Sequence, residues 1–389
     1  MRRTHAASLL AGLMVLASQG AWAEVKIGFM GPLSGPQGVL GQDQYDGFML
    51  GVEMAGGKMG GEPVAVLKED DQIKPELGAQ ITRKFIERDH VDAIVGLSAT
   101  NVLMAARPRI VESGTVAIAT NAGPASIAGA QCSPNLFVVA WQSDGPSEAM
   151  GKLAQEQGYK KVFLGAPNYQ AGKDMLTGFK RFYKGKVVDE VYTQIGQTDY
   201  STEITQIQAD KPDAVFVFYP GGMGINFAKQ LKQAGVLPTM PVFSVFMVDP
   251  TTLPAIGEAA VGVTAGAMWD AELDNPANKK FVAAFQQKYK RLPSYYAAAG
   301  YDAANILKTA FGTMGSDLHD KAKLAAAVKA AGGSFESVRG PFKFNRNNMP
   351  IQNYYAFKYV KQGDKIVPQY VATPLKDRQD VYVGSCPLK

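Results

Sequence analysis

The chain has 389 residues, with 40 Lys and Arg against 35 Asp and Glu, and 46% of it is apolar. That length and apolar share allow two α/β cores of about 150 residues each. The net charge of +5 is scattered, with no basic run dense enough to make nucleic acid an expected partner.

In chain order, the first feature is MRRTHAASLLAGLMVLASQGAWA. Arg2 and Arg3 precede an apolar run from Ala6 to Ala17, and Ala21-Trp22-Ala23 ends it. This is the pattern of a cleaved secretory signal peptide, residues 1–23. The run is shorter than the roughly 20 apolar residues a membrane helix needs. The expected mature chain is 24–389, with a charge of +3 once Arg2 and Arg3 are removed. Glu24 and Val25, not a lipobox cysteine, follow the cut, so a soluble protein of the periplasm is expected.

From Val25 onward, short apolar strands alternate with amphipathic helices. VKIGFMG, PVAVLKED, VDAIVG and TVAIAT read as strands. The helices between them start at GVLGQDQ, KPELGAQ and TNVLMAA; the second carries Leu77, Ile81, Phe85 and Ile86 on one face. The pattern breaks at NAGPASIAGAQCSPN and resumes at LFVVAW. A second series follows: a helix over 144–157, strand KKVFLGAP, a helix over 173–183, strand GKVVDEVYT, a helix over 202–209, strand DAVFVFYP, a helix ending at QAGV, and strand PVFSVF. Three more helices are expected over 276–289, 294–312 and 320–331, then the strands FKFN and NYYAFKYV. Such alternation implies parallel sheets with helices on both faces. The fold class expected is α/β, as two doubly wound lobes. Lobe 1 takes 24–141 plus 269–345, and lobe 2 takes 142–268 plus 346–389 with the C-terminal tail.

Two cysteines, Cys132 and Cys386, sit in loop-like segments beside proline. In an exported chain they are expected to pair.

Catalytic motifs are scarce. The expected mature chain holds two histidines, His90 at a strand start and His319 at a helix start, neither in a recognisable motif. GLSAT at 96–100 lacks the last glycine of a nucleophile elbow. No paired C-x-x-C and no H-E-x-x-H is present, so no metal is expected. GFMGPLSG at 28–35 fits neither the dinucleotide nor the triphosphate glycine pattern, so no cofactor is expected. Asp70 and Asp71 read as structural or loop-capping residues. An exported hydrolase with an unrecognised site is the alternative of another class.

VKIGFMGPLSGPQGVLGQDQYDGFMLGVEMA, VLKEDDQIKPELGAQITRKFIERDHVDAIVG, KQLKQAGV, NYQAGKD and PSYYAAAGYDAANIL together resemble the leucine/isoleucine/valine-binding family of ABC-transporter receptors. The resemblance covers nearly all of residues 24–360. It implies two lobes joined by three crossovers, a small molecule held between them, closure about the hinge, an inner-membrane ABC permease as partner, and a monomer. It also places the site. The ligand carboxylate falls to Thr100 and Asn101 after the third strand, with the alternative that Thr100 only caps the next helix. Asn121, Ala122 and Gly123 follow the fourth strand. Tyr169 and Tyr296 supply aromatics from the two lobes. Trp141 and Trp269 fall near crossovers, and Leu40 and Gln42 lie near the first loop.

The stretch PVFSVFMVD carries the departure. Family members that bind amino acids hold a glutamate there for the ligand ammonium, and Phe246 stands at that position. An ammonium buried without its partner costs about 3–5 kcal/mol, several hundred-fold in affinity. With Phe243 and Met247 nearby, an apolar, flat body is favoured. The expected ligand is a carboxylate without an α-amine, aromatic in kind. A branched-chain amino acid or amide receptor is the alternative, and Asp249 is the residue that would restore a counter-charge.

Overall fold

The computed structural model describes residues 24–237 and 239–389. The expected signal peptide lies outside them. Among the described residues, fourteen strands form two sheets. The first holds β1 (Val25–Gly31), β2 (Lys58–Met59), β3 (Glu62–Asp70), β4 (Ala93–Gly96), β5 (Val116–Ala119) and β6 (Leu136–Val138), in the order β2-β3-β1-β4-β5-β6. The second holds β7 (Lys161–Pro167), β8 (Lys186–Thr193), β9 (Ala214–Phe218), β10 (Val242–Val245), β11 (Thr264–Ala267), β12 (Lys343–Phe344), β13 (Pro350–Gln362) and β14 (Lys365–Arg378). Its order is β12-β13-β11-β10-β9-β7-β8, with β14 paired to β13.

The central strands β1, β4 and β5, and β7, β9 and β10, are buried apart from Lys26 in β1 and Lys161 at the start of β7. Strands covered on both faces read as continuous apolar runs. In each sheet the chain steps from its first strand to one side, then returns to the other. The reversals lie between β1 and β4 and between β7 and β9. Crevices for ligands open beyond the carboxyl ends of strands at such reversals.

Three late helices, Pro276–Tyr289, Tyr295–Phe311 and Lys321–Ala331, return to the first sheet. Tyr295–Phe311 packs along Gly38–Met54. Both helices use glycine at the contact. A Cβ on Gly47 would lie 2.0 Å from the Ala297 carbonyl, and one on Gly300 would lie 2.1 Å from that of Gln44. Crossovers link the sheets near 139–144, 268–275 and 340–350. Arg339 is buried among them and donates to the carbonyls of Val139 and Ala140 and to Gln352 Oε1.

One long element was not expected from the sequence. Strand β14 carries Pro368 and Pro374, which argue against a strand. It is an edge strand paired only to β13, where a proline lacking an N–H is tolerated. After it the chain crosses the hinge: Tyr382 donates to Asp144, Asn347 donates to Asp380, and Cys386 is disulfide-bonded to Cys132. The tail thus leaves the second sheet and ends beside the first. No described helix is long and apolar enough to cross a membrane.

Candidate functional site

Both crevices open onto one cavity between the lobes. The atom-free space there is about 400 Å³ when the part open to solvent is included, and little of it is deep cavity. Nearly every wall comes from the segment after a strand, either the loop or the first turns of the next helix. Gln37 and Leu40 follow β1, Ser98 to Thr100 follow β4, Asn121 and Ala122 follow β5, and Trp141 and Ser143 follow β6. From the second lobe come Tyr169, Ala171 and Met175 after β7, Phe218 and Pro220 at the end of β9, and Phe246 after β10. Tyr296 completes the wall from the start of Tyr295–Phe311. The lobes also touch at the rim, where Gly221 lies so close to Pro36 that a Cβ would sit 2.8 Å from its carbonyl.

The walls are aromatic. Trp141 stacks on Phe246 at 5.1 Å between ring centroids. Tyr296 lies 6.0 Å from Trp141 and 6.2 Å from Phe246. On the far side Phe218 meets Phe246 edge-on at 5.8 Å, and Tyr169 stacks on Phe218 at 6.2 Å. Phe246 holds this place with a left-handed backbone, φ 62°, immediately after β10. That conformation is uncommon for a bulky residue and carries strain.

The polar groups are uncharged. No Asp, Glu, Lys, Arg or His is among the lining residues. The helix Thr100–Ser113 begins at the cavity. Its N-cap is Ala99, which has no side chain to satisfy the first N–H groups. Thr100 is the first helical residue, so it is not the cap. Its hydroxyl, like those of Ser143 and Tyr169, has no hydrogen-bond partner among the described residues. A second uncapped helix, Gln170–Phe182, starts behind Tyr169. Burial pushes the Tyr169 phenol above its ordinary value, which keeps it a neutral donor. Two helix N-termini and free hydroxyls in a charge-free, aromatic enclosure favour a flat body bearing an anion.

Eight of the twelve residues singled out from the sequence line this cavity: Leu40, Thr100, Asn121, Ala122, Trp141, Tyr169, Phe246 and Tyr296. Four lie elsewhere. Asn101 turns away and donates to the Ile73 carbonyl. Gln42 joins Asp46 and Lys68. Gly123 packs on the first crossover, where a Cβ would meet the Trp141 carbonyl at 2.1 Å. Trp269 is buried beside Phe281 and donates to Asn278 Oδ1. Gln37, Ser98, Ser143, Met175 and Phe218 were not anticipated. Their signal was position, each within a few residues of a strand or helix end that faces the crevice.

The neighbouring acids are occupied elsewhere. Asp249 Oδ1 accepts from the N–H and hydroxyl of Thr251, at 2.7 and 2.6 Å, and Oδ2 accepts from the Tyr295 hydroxyl at 3.0 Å. Asp70 accepts from Leu33, Ser34 and Gln72, and Asp71 from Ile73, so both serve the loops. His319 sits on Asp92, while Asp320 caps the following helix.

Residues 24–364 match the family profile described as Periplasmic binding protein. The Leu/Ile/Val-binding protein homolog 6 of Brucella melitensis is 27% identical over 90% of this chain and 91% of its own. A solute binding protein of an ABC transporter from R. palustris, solved in complex with benzoate, is 30% identical, with a TM-score of 0.88 over 94% of this chain and all of its own. A second R. palustris solute binding protein, in complex with 4-hydroxybenzoate, is 27% identical, with a TM-score of 0.85 over 92% of this chain and 98% of its own. With two parallel-sheet lobes around one enclosed cavity, the chain belongs to the periplasmic binding protein family.

Proposed function

We propose that this chain is the extracytoplasmic receptor of an ABC importer and that its ligand is an aromatic carboxylate without an α-amine. The single observation that carries this reading is an aromatic-walled cavity with no charged lining residue and an uncapped helix N-terminus open to it. The carboxylate sits at Thr100 and the first N–H groups of its helix. The ring lies among Trp141, Phe246, Tyr296 and Tyr169, with Leu40, Asn121 and Ala122 closing the sides. An α-ammonium would find no carboxylate among the lining residues, which argues against an amino acid despite the Leu/Ile/Val-binding relatives. The benzoate and 4-hydroxybenzoate bound to the R. palustris proteins support the ligand class.

The remaining parts follow from this role. The ligand is captured by closure of lobe 1 (24–141 and 269–345) on lobe 2 (142–268 and 346–389), and the closed monomer docks on a membrane permease. Export by a signal cleaved after Ala23 puts the chain in the periplasm, an oxidising compartment that suits the Cys132–Cys386 bond. No catalytic step belongs to this reading.

A thermal-shift screen of residues 24–389 against benzoates, phenylpropanoid acids, aliphatic acids and the twenty amino acids tests it. A ligand at about 100 times its Kd stabilises by about 2.7 kcal/mol. Shifts confined to acids without an α-amine are expected. A shift with leucine instead would overturn the ligand class, and turnover of an added acid or ester would overturn the receptor role.

A further inference from the structure

Behind the aromatic wall lies a carboxylate that does not line the cavity. Asp249 is fully buried, and its hydrogen bonds to Thr251 and Tyr295 use both oxygens. These partners belong to different lobes. Thr251 is in the loop after β10, whereas Tyr295 opens the helix that packs on Gly38–Met54. The same loop carries Phe246, and it is knotted by the Thr252 hydroxyl, which donates to the Met247 carbonyl at 2.9 Å. The Tyr295 ring lies edge-on to Phe246 at 5.6 Å and to Trp141 at 5.9 Å. One carboxylate therefore fixes the loop that bears Phe246 and, across the lobe boundary, the ring behind it.

We propose that Asp249 and Tyr295 form a latch between the lobes that positions the Phe246–Trp141 wall in the closed form, so that Asp249 governs ligand affinity without touching the ligand. Asp249 is thus a positioning residue. The inference rests on the cavity being the ligand site.

The surroundings of Asp249 give the latch a second property. Asp43 faces it from Gly38–Met54, Tyr296 from Tyr295–Phe311 and Tyr359 from β13. Among the described residues no cation neutralises it, and Arg291 is engaged by Asp43 and Asp46. Burial pushes the Asp249 carboxyl up to about 6. Opening the cleft hydrates that carboxyl and returns it toward its ordinary value. The closed form therefore binds the proton more tightly than the open form. By linkage, affinity is greatest below the ordinary carboxylate value and falls as pH rises through about 6.

The test is calorimetric titration of benzoate into residues 24–389 at pH 5.5 and 7.5, where benzoate stays ionised. Wild type, D249N, Y295F and the double variant are compared. Wild-type affinity is expected to weaken about fourfold between the two pH values, and D249N is expected to remove that change. Asp174 also bridges the lobes, accepting from Ala125 N at 3.3 Å, and its carboxyl likewise stands at about 6. The difference between wild type and D249N is therefore the readout. Y295F is expected to weaken binding about tenfold, and D249N to add little further loss on top of it. A D249N variant with the wild-type pH dependence, or strictly additive losses in the double variant, would overturn the latch while leaving the cavity reading intact. A wild type that binds no aromatic acid would overturn the cavity reading and the latch with it.

Discussion

Phe246 lines the cavity, and on the reading proposed above it stands where an amino-acid receptor would hold a counter-charge for the ammonium. Its ring packs against Trp141, Tyr295, Tyr296 and Phe218, and its backbone takes the left-handed form that points it there. The apolar identity was legible in the sequence; the positive φ was not, because no glycine or asparagine marks it. The same scale explains why two of the four expected residues that miss the cavity do so. Asn101 follows Thr100, and Gln42 lies two residues after Leu40, and neighbours at those spacings on a helix point to different faces. A second residue tests the cost of burial. Asp71 is fully buried, with Oδ2 lacking a partner, and its carboxyl stands at about 6. A carboxyl raised on folding adds full stability below its unfolded value and loses it as pH rises through the folded one. Asp71→Asn should therefore stabilise the protein by about 1–3 kcal/mol at pH 7.5, with the gain shrinking as pH falls from 6 to 4, as read by thermal unfolding.

At the scale of elements, the alternation of apolar strands and amphipathic helices gave the layers. The expected helix over 276–289 matches Pro276–Tyr289, and the one over 294–312 matches Tyr295–Phe311 within a residue at each end. Those helices are long and periodic. What the pattern could not reveal was pairing. Strand β14 was hidden by its prolines, which an edge strand tolerates. The return of Tyr295–Phe311 onto Gly38–Met54 depends on glycine contacts more than 240 residues apart in sequence. Gly47→Ala tests that pairing. Its methyl would collide with the Ala297 carbonyl, and a loss of about 1–3 kcal/mol is expected in denaturant unfolding. An unchanged midpoint would mean that the helices separate easily.

At the scale of the molecule, two sheets with the same strand reversal face each other, and their loops meet at one enclosed site. The sequence carried the existence of the cleft through its βα repeats. It also carried the Cys132–Cys386 pairing, but not the hydrogen bonds that hold the tail along the way. Beyond the three crossovers, the tail runs from β14 over the hinge to the disulfide at Cys132, closing a separation of 254 residues. Replacing both Cys132 and Cys386 by serine should cost about 3–5 kcal/mol in thermal unfolding. A much smaller loss would mean that the tail is held by Tyr382, Asp380 and Asn347 without the bond.

The most direct test of the central claim is a paired calorimetric titration of residues 24–389 with benzoate and with phenylalanine. The two share a ring and a carboxylate, and phenylalanine adds the α-ammonium. The cavity described here predicts saturable one-to-one binding of benzoate and binding of phenylalanine weaker by a hundredfold or more. Phenylalanine bound as tightly as benzoate, or more so, would contradict it. That result would require a carboxylate, Asp249 or another, to leave its present partners and enter the cleft.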